Sequence, residues 1–265
     1  MKITHLGSGS RGNSVLLSTG ESNVLVDCGF SLKKTESRLD KLSVNPKDID
    51  SIIVTHHHSD HSKSAKRAAK KWGARLISNA ETAKRMQWED SENLLVFSEL
   101  ERIDAGVDLS LLTIPVPHDD ADNVAVIACD DKGRRAAVVT DLGEVTAELS
   151  SHLRKCDHIS IESNYDHDRL MRGNYPDSLK RRISGRGGHL SNSQTASALS
   201  EIVHPDLSSI VLCHLSESNN LPHIAESEVL MEICDNFKGS LSISKQDGPE
   251  FSNWIGQTDS EKISA

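Results

Sequence analysis

The stretch THHHSDHSKS, residues 55–64, narrows what this chain can be more than any other, because four histidines and an aspartate fall between positions 55 and 61. That is far more imidazole than a surface loop or a packed core ordinarily uses. The run SIIVT (51–55) just ahead is β-branched, and from Lys63 to Trp72 the pattern turns helical, so the cluster lies on a loop at the C-terminal end of a strand. With the spacing HxHxDH, a tight loop can present His56 and His58 to one metal ion while Asp60 and His61 face a second. The plainer alternative is a polar loop that merely caps the helix starting near Ser62. His57, between the ligands, must point away from their site.

A two-metal centre needs donors from elsewhere in the chain. His118 in PVPHDD, Asp141 in VVTDLG and His214 in VLCHLS each directly follow an apolar strand and are the candidates. Glu162, Asn164 and Asp166 follow the strand HISIE, where they either orient ligands or substrate, Asn164 being the substrate contact, or serve turn chemistry alone. Ser8, Ser10, Asn13 and Ser14, interleaved with glycines in GSGSRGNS, either offer backbone N–H groups to a phosphate or form a strand-connecting turn. His5, His152, His158, His204 and His223 read as ordinary histidines.

The rest of the chain alternates short strands with helices. KITHL, SVLLS and NVLVD open it, a helical stretch covers 31–43, and the strands LLVF, LSLLTIPV, NVAVIAC and RRAAVVT dominate the middle. Helical patterns at 144–153, 166–184, 191–203 and 222–237 then alternate with HISIE, SIVLC and SLSIS. Two strand-rich halves, each with helices, give an α/β chain. Its 265 residues, 36% of them apolar, suit one domain over 1–256, with 257–265 as a loose tail. No run of eighteen apolar residues occurs and the N-terminus lacks the basic-then-apolar order of a signal peptide, so the expectation is a cytoplasmic protein without a membrane partner. Five scattered cysteines with no CxxC pair argue against a disulfide framework or a thiolate zinc cluster.

A net charge of −9 provides no global attraction for nucleic acid, so a polyanionic substrate would have to be held locally. Lys63, Lys66, Arg67, Lys70 and Lys71 recur at helical spacing and form a basic stripe, with Lys66 and Lys70 as candidate substrate contacts; the alternative is a solvated helix face. A second basic group, Lys180, Arg181, Arg182 and Arg186, precedes GGHLSN.

HHHSDH followed by His118, the TDLG aspartate and the CHLS histidine resembles the metallo-β-lactamase superfamily, and VDCG at Asp27 resembles its early structural aspartate. GSGSRGNS, ESNYD, NYPDSLKRRI, GGHLSN and CHLSESNN resemble the YycJ (WalJ, VicX) branch, whose members are regarded as nuclease-like. The resemblance implies a four-layer αββα sandwich with metals at the edge of two sheets. It also implies that His56, His58 and His118 bind one ion, Asp60, His61 and His214 the other, and that Asp141 bridges. His189 in GGHLSN resembles the catalytic histidine of tRNA-processing relatives and is the candidate proton donor, the alternative being a residue that leads into the helix at Ser191.

The chemistry expected of such a site is hydrolysis. Two divalent ions offset by Asp60, Asp141 and a bridging hydroxide leave roughly one surplus positive charge, suited to a phosphodiester, with Asp60 and His189 as the catalytic side chains. The resemblance implies an exonuclease on DNA. Hydrolysis of a small ester, thioester or cyclic phosphodiester needs only the metal site and a small pocket. A di-iron oxidoreductase fits less well, since Ser59 stands where an extra carboxylate is expected. Zinc, manganese or iron would all suit His and carboxylate ligands, and two divalent ions are expected, with zinc placed first among them.

Overall fold

The computed structural model describes residues 1–119, 121–248 and 251–256. The tail expected at 257–265 lies outside the described residues. The chain first forms β1 (Lys2–Gly7), β2 (Ser14–Ser18), β3 (Asn23–Val26), β4 (Ser51–Ile53), β5 (Arg75–Asn79) and β6 (Leu94–Phe97). It continues through β7 (Arg102–Asp104), β8 (Leu109–His118), β9 (Ala121–Asp130), β10 (Arg135–Val139), β11 (His158–Glu162), β12 (Ser209–Cys213) and β13 (Ser240–Ile243), and β14 (Asn253–Trp254) returns to the start. The helices are α1 (Leu32–Asp40), α2 (Ser59–Ser62), α3 (Ala65–Trp72) and α4 (Ala80–Arg85), then α5 (Ala147–Leu153), α6 (His167–Arg172), α7 (Asp177–Ile183), α8 (Asn192–Ile202) and α9 (Pro222–Ile233).

Among the described residues the strands form two seven-stranded sheets, ordered β14-β1-β2-β3-β4-β5-β6 and β13-β12-β11-β10-β9-β8-β7. Alternation along each strand decides which side of a sheet a residue serves. Val24 and Val26 of β3 join Ile53, Ile77, Val126 and Val138 in a core between the sheets. Leu25, between them, faces out with Ile52 and Leu76 onto Leu39 of α1 and Ala65, Ala68 and Trp72 of α3. On the second sheet Ala137, Val139, Ile159, Ile161 and Leu212 face out onto Leu149, Leu199, Val229 and Ile233 of α5, α8 and α9. Strands packed on both faces must be apolar throughout, which explains runs such as SIVLC. Helix, sheet, sheet and helix therefore stack as the expected αββα sandwich.

Strand direction places the site. β3 to β6 run parallel, as do β10 to β13. β8 pairs antiparallel with β9, and β9 with β10, so β8 shares the direction of β10. Groups that follow the C-terminal ends of these strands can meet along one edge, where ligands of open α/β sheets bind. No helix among the described residues is long and apolar enough to cross a membrane, and all five cysteines are unpaired.

Candidate metal centre

Five strand ends contribute. After β3 comes Asp27, after β4 the loop to His61, and His118 closes β8; Asp141 and His214 follow β10 and β12. Asp27, Asp141 and His214 have left-handed backbones, with φ of 63°, 57° and 54°. Asp and His tolerate this region better than most residues, yet it is strained and persists only where neighbours enforce it. Here they do: the Asp27 N–H donates to Ile53 O at 2.8 Å, that of His214 to Ser8 Oγ at 2.8 Å, and that of Asp141 to the Glu162 carboxylate.

The side chains fall into overlapping groups whose donor atoms lie within 4.8 Å of one another: His56, His58 and His118; His56, His61 and Asp141; Asp60, His61 and His214; and Asp141, Glu162, His189 and His214. Asp141 is shared. Its Oδ2 is 2.5 Å from His61 Nε2, while Oδ1 is 3.4 Å from His214 Nδ1 and 3.9 Å from His118 Nε2. Asp60 Oδ2 is 3.6 Å from both His61 Nε2 and His214 Nε2.

Hydrogen bonds fix which ring nitrogen is offered. His61 Nδ1 donates to Asp27 Oδ2 (2.7 Å) and His118 Nδ1 to Gly188 O (3.0 Å). His56 Nδ1 meets Thr55 Oγ1 at 3.0 Å, and that hydroxyl donates onward to Asp27 at 3.1 Å. Each ring thus turns Nε2 toward the cluster, the arrangement that orients and strengthens histidine ligands. The Nε2 atoms of His56 and His214 are buried and have no hydrogen-bond partner among the described residues. Buried polar atoms are seldom left so, and a cation among these donors satisfies both. Asn13 Nδ2 lies 3.0 Å from His61 Nε2, and a cation would take that lone pair in place of the amide. The residues therefore fit divalent metal.

Charge supports the same reading. Burial, aided by His61, holds the His56 imidazole well below its ordinary pKa, and burial with His118 lowers His58, so both are neutral and able to ligate. Burial opposes charge on His61, but Asp141, Asp27 and Asp60 outweigh it and hold its pKa well above the ordinary value. His214 is raised likewise, against its burial, chiefly by Asp141. Burial pushes the Asp141 carboxyl up, yet His214 and His61 hold it well below the usual range. The carboxylates here call for positive charge, whether protons or metal.

His189 and Glu162 complete the cluster. His189 Nδ1 donates to Glu162 Oε1 at 2.9 Å and is 3.3 Å from Asp141 Oδ1. Glu162 is wholly buried and also accepts from the Leu190 N–H at 3.2 Å. The backbone behind it is held by Thr195, whose Oγ1 donates to Glu162 O at 2.6 Å, and by the capping box of Ser191 and Gln194 that starts α8. Burial lowers the His189 pKa, but Glu162 outweighs it and raises it.

The three polar residues after β11 divide. Glu162 is the hub just described, a role the sequence offered only as one of two readings. Asn164 Nδ2 donates to His214 O at 2.8 Å and the residue lines the same cavity as His214. Asp166 caps α6 through a 2.8 Å bond from the Arg169 N–H, which is turn chemistry. In the glycine-serine loop, Ser8 Oγ and the Gly9 N–H both donate to Asn13 Oδ1, so these groups brace His214; Ser10 lines the cavity. His57 lies in none of the donor groups found among the described residues. Lys66 and Lys70 line a different cleft, with Asp90 and Glu92, and Lys66 Nζ donates to Gln87 O at 3.0 Å.

The family model described as the Metallo-beta-lactamase superfamily matches residues 7–214, which takes in every ligand candidate from His56 to His214. The chain belongs to the metallo-beta-lactamase superfamily. Within the superfamily it is 33% identical over 233 residues to exodeoxyribonuclease YycJ of Bacillus anthracis, covering 84% of this chain and 86% of the relative. It is also 33% identical over 239 residues to exodeoxyribonuclease WalJ of Streptococcus pneumoniae, covering 88% of each. Among solved structures, the metallo-beta-lactamase fold protein YhfI from Bacillus subtilis superposes with a TM-score of 0.72 at 16% identity, over 95% of this chain and 97% of that one. That likeness establishes the superfamily fold.

Proposed function

We propose that the chain is a dinuclear-metal-dependent phosphodiesterase that degrades DNA as an exonuclease. The observation that carries this is the convergence of His56, His58, His118, Asp60, His61, His214 and a shared Asp141 in one cluster, which meets a cavity lined by His58, Asp60, His118, Asp141, His214 and the Glu162-backed His189. The names of the two relatives, matched over most of both chains, support DNA as substrate.

His56, His58 and His118 would hold one ion, Asp60, His61 and His214 the other, with Asp141 between them. Zinc suits these imidazole and carboxylate donors best, manganese or iron next. Two such ions, when bound, supply a nucleophile from water at neutral pH and offset charge developing on the phosphoryl oxygens. Asp60 and Asp141 leave the site with a small positive surplus that draws in a phosphodiester. His189, kept protonated by Glu162, gives a proton to the departing oxygen through its other ring nitrogen. Lys66 and Lys70 would track the backbone of a longer strand beyond the cavity, and Asn164 would orient the substrate through His214. We place the protein in the cytoplasm, a reading supported by five unpaired cysteines.

A substrate panel tests the proposal: linear DNA, RNA, a cyclic dinucleotide and a carboxylic ester offered to the metal-loaded protein. Release of mononucleotides from linear DNA is expected. Turnover of the ester or cyclic diester with DNA left intact would move the function to small-molecule hydrolysis.

A further inference from the structure

Of the basic group Lys180, Arg181, Arg182 and Arg186, one member turns into the metal-facing cavity. Lys180 Nζ donates to Met171 O (2.7 Å) and Arg186 Nε to Glu144 (2.6 Å), both away from it. Arg182 lines the cavity beside His58, His118, His189 and His214. Asp119, next to the ligand His118, holds the guanidinium through Oδ2 at 2.5 Å from Nη2 and Oδ1 at 3.3 Å from Nε. Asp119 is itself fixed: its backbone has φ 41° and its N–H donates to Gly187 O at 2.6 Å. The fork is thus anchored on one side, and Nη1 and the second N–H of Nη2 are left for another acceptor. The pair is 62% exposed at Arg182, so stability is a poor explanation for it.

Tyr175 stands at the same mouth. Aromatic residues make up only 3% of the chain, and among the described residues Tyr175 is the one Phe, Trp or Tyr that lines this cavity. It is half-buried and its hydroxyl makes no hydrogen bond to a described residue. The guanidinium is set relative to the metal centre through Asp119, which directly follows His118, and Gly188 O, further along the same segment, accepts from His118 Nδ1.

We propose that Tyr175 and Arg182 form a nucleotide subsite, Arg182 gripping a backbone phosphate beside the scissile one and Tyr175 stacking on the terminal base once it is unpaired. This rests on the nuclease reading. The cavity, of about 280 Å³, has Tyr175 and Arg182 in its lining together with His58, His118, His189 and His214, so a strand seated at the metal centre meets both. An anchored guanidinium offers several donors to phosphate oxygens, and an aromatic face takes any base.

The test measures binding of a fluorescent phosphorothioate oligonucleotide, and KM and kcat on unmodified DNA, for the metal-loaded protein and its Tyr175→Ala, Tyr175→Phe and Arg182→Gln variants. Tyr175→Ala and Arg182→Gln are each expected to weaken binding and raise KM by about tenfold, with metal content unchanged and Tyr175→Phe binding as tightly as the parent. Unaltered affinity in both variants, or Tyr175→Phe binding as weakly as Tyr175→Ala, would overturn the subsite while the parent's DNA degradation leaves the nuclease reading standing. A parent protein that loads metal but neither binds nor degrades DNA would remove both.

Discussion

His189 shows how a single residue acquires a role from its neighbours. Its Nδ1 is occupied by a buried carboxylate, Glu162, which raises the pKa of the ring against the pull of burial. If it protonates the leaving oxygen, His189→Ala should lower turnover of DNA by about 10²–10⁴ with metal content intact. A p-nitrophenyl diester, whose leaving group needs no proton, should lose much less. Equal losses on both substrates would assign His189 to binding or structure. The histidine cluster was legible in the sequence as a candidate metal site, because imidazoles packed so densely at a strand end serve few purposes besides holding metal. Glu162 was not, since a carboxylate after a strand is ordinary until the fold shows that it touches His189 and the Asp141 backbone.

At the scale of elements, the two sheets are joined by a polar contact inside an apolar core. His5 of β1 and His158 of β11 both reach Ser160 Oγ, at 2.8 Å each, and His158 Nδ1 meets Ser209 Oγ of β12 at 2.7 Å. The sequence presented these as ordinary histidines, because contact between strands far apart in the chain leaves no local pattern. Burial lowers His5 to about 4 and His158 to about 3 from 6.5. Both pKa values are depressed, so the unfolded chain binds more protons between the two limits. The stabilisation is full above pH 6.5 and is lost as pH falls toward 4, on the order of 3 kcal/mol from His5 alone. Denaturant melts of the parent and His5→Gln between pH 7.5 and 4.5 check this: the variant should be less stable at neutral pH but lose less on acidification. Parallel acid profiles would show that His5 does not titrate with unfolding. The sandwich itself was readable from alternation in strands and from apolar runs where both faces are covered. Short edge strands such as β7 and β14 were not, being too brief to carry a period.

For the molecule as a whole, charge is the puzzle: a net −9 chain proposed to hold DNA. The positive charge it needs must be local, at the metal centre and along basic side chains. Lys66 and Lys70 lie outside the metal-facing cavity and share their cleft with Asp90 and Glu92, so they could act only on a strand that extends beyond the active site. Replacing both with glutamine should raise KM for long DNA and flatten the slope of log K against log salt by up to about 2. An unaltered slope would make the α3 stripe a solvated helix face. The central claim, that two metal ions in the His and Asp cluster drive DNA hydrolysis, is tested most directly by stripping the protein with a chelator and titrating zinc back while mononucleotide release from linear DNA is followed. The expected result is no release from the stripped protein and a rate that climbs to a plateau at two equivalents per chain. Undiminished release from the stripped protein, or none after reloading with zinc, manganese or iron, would contradict it.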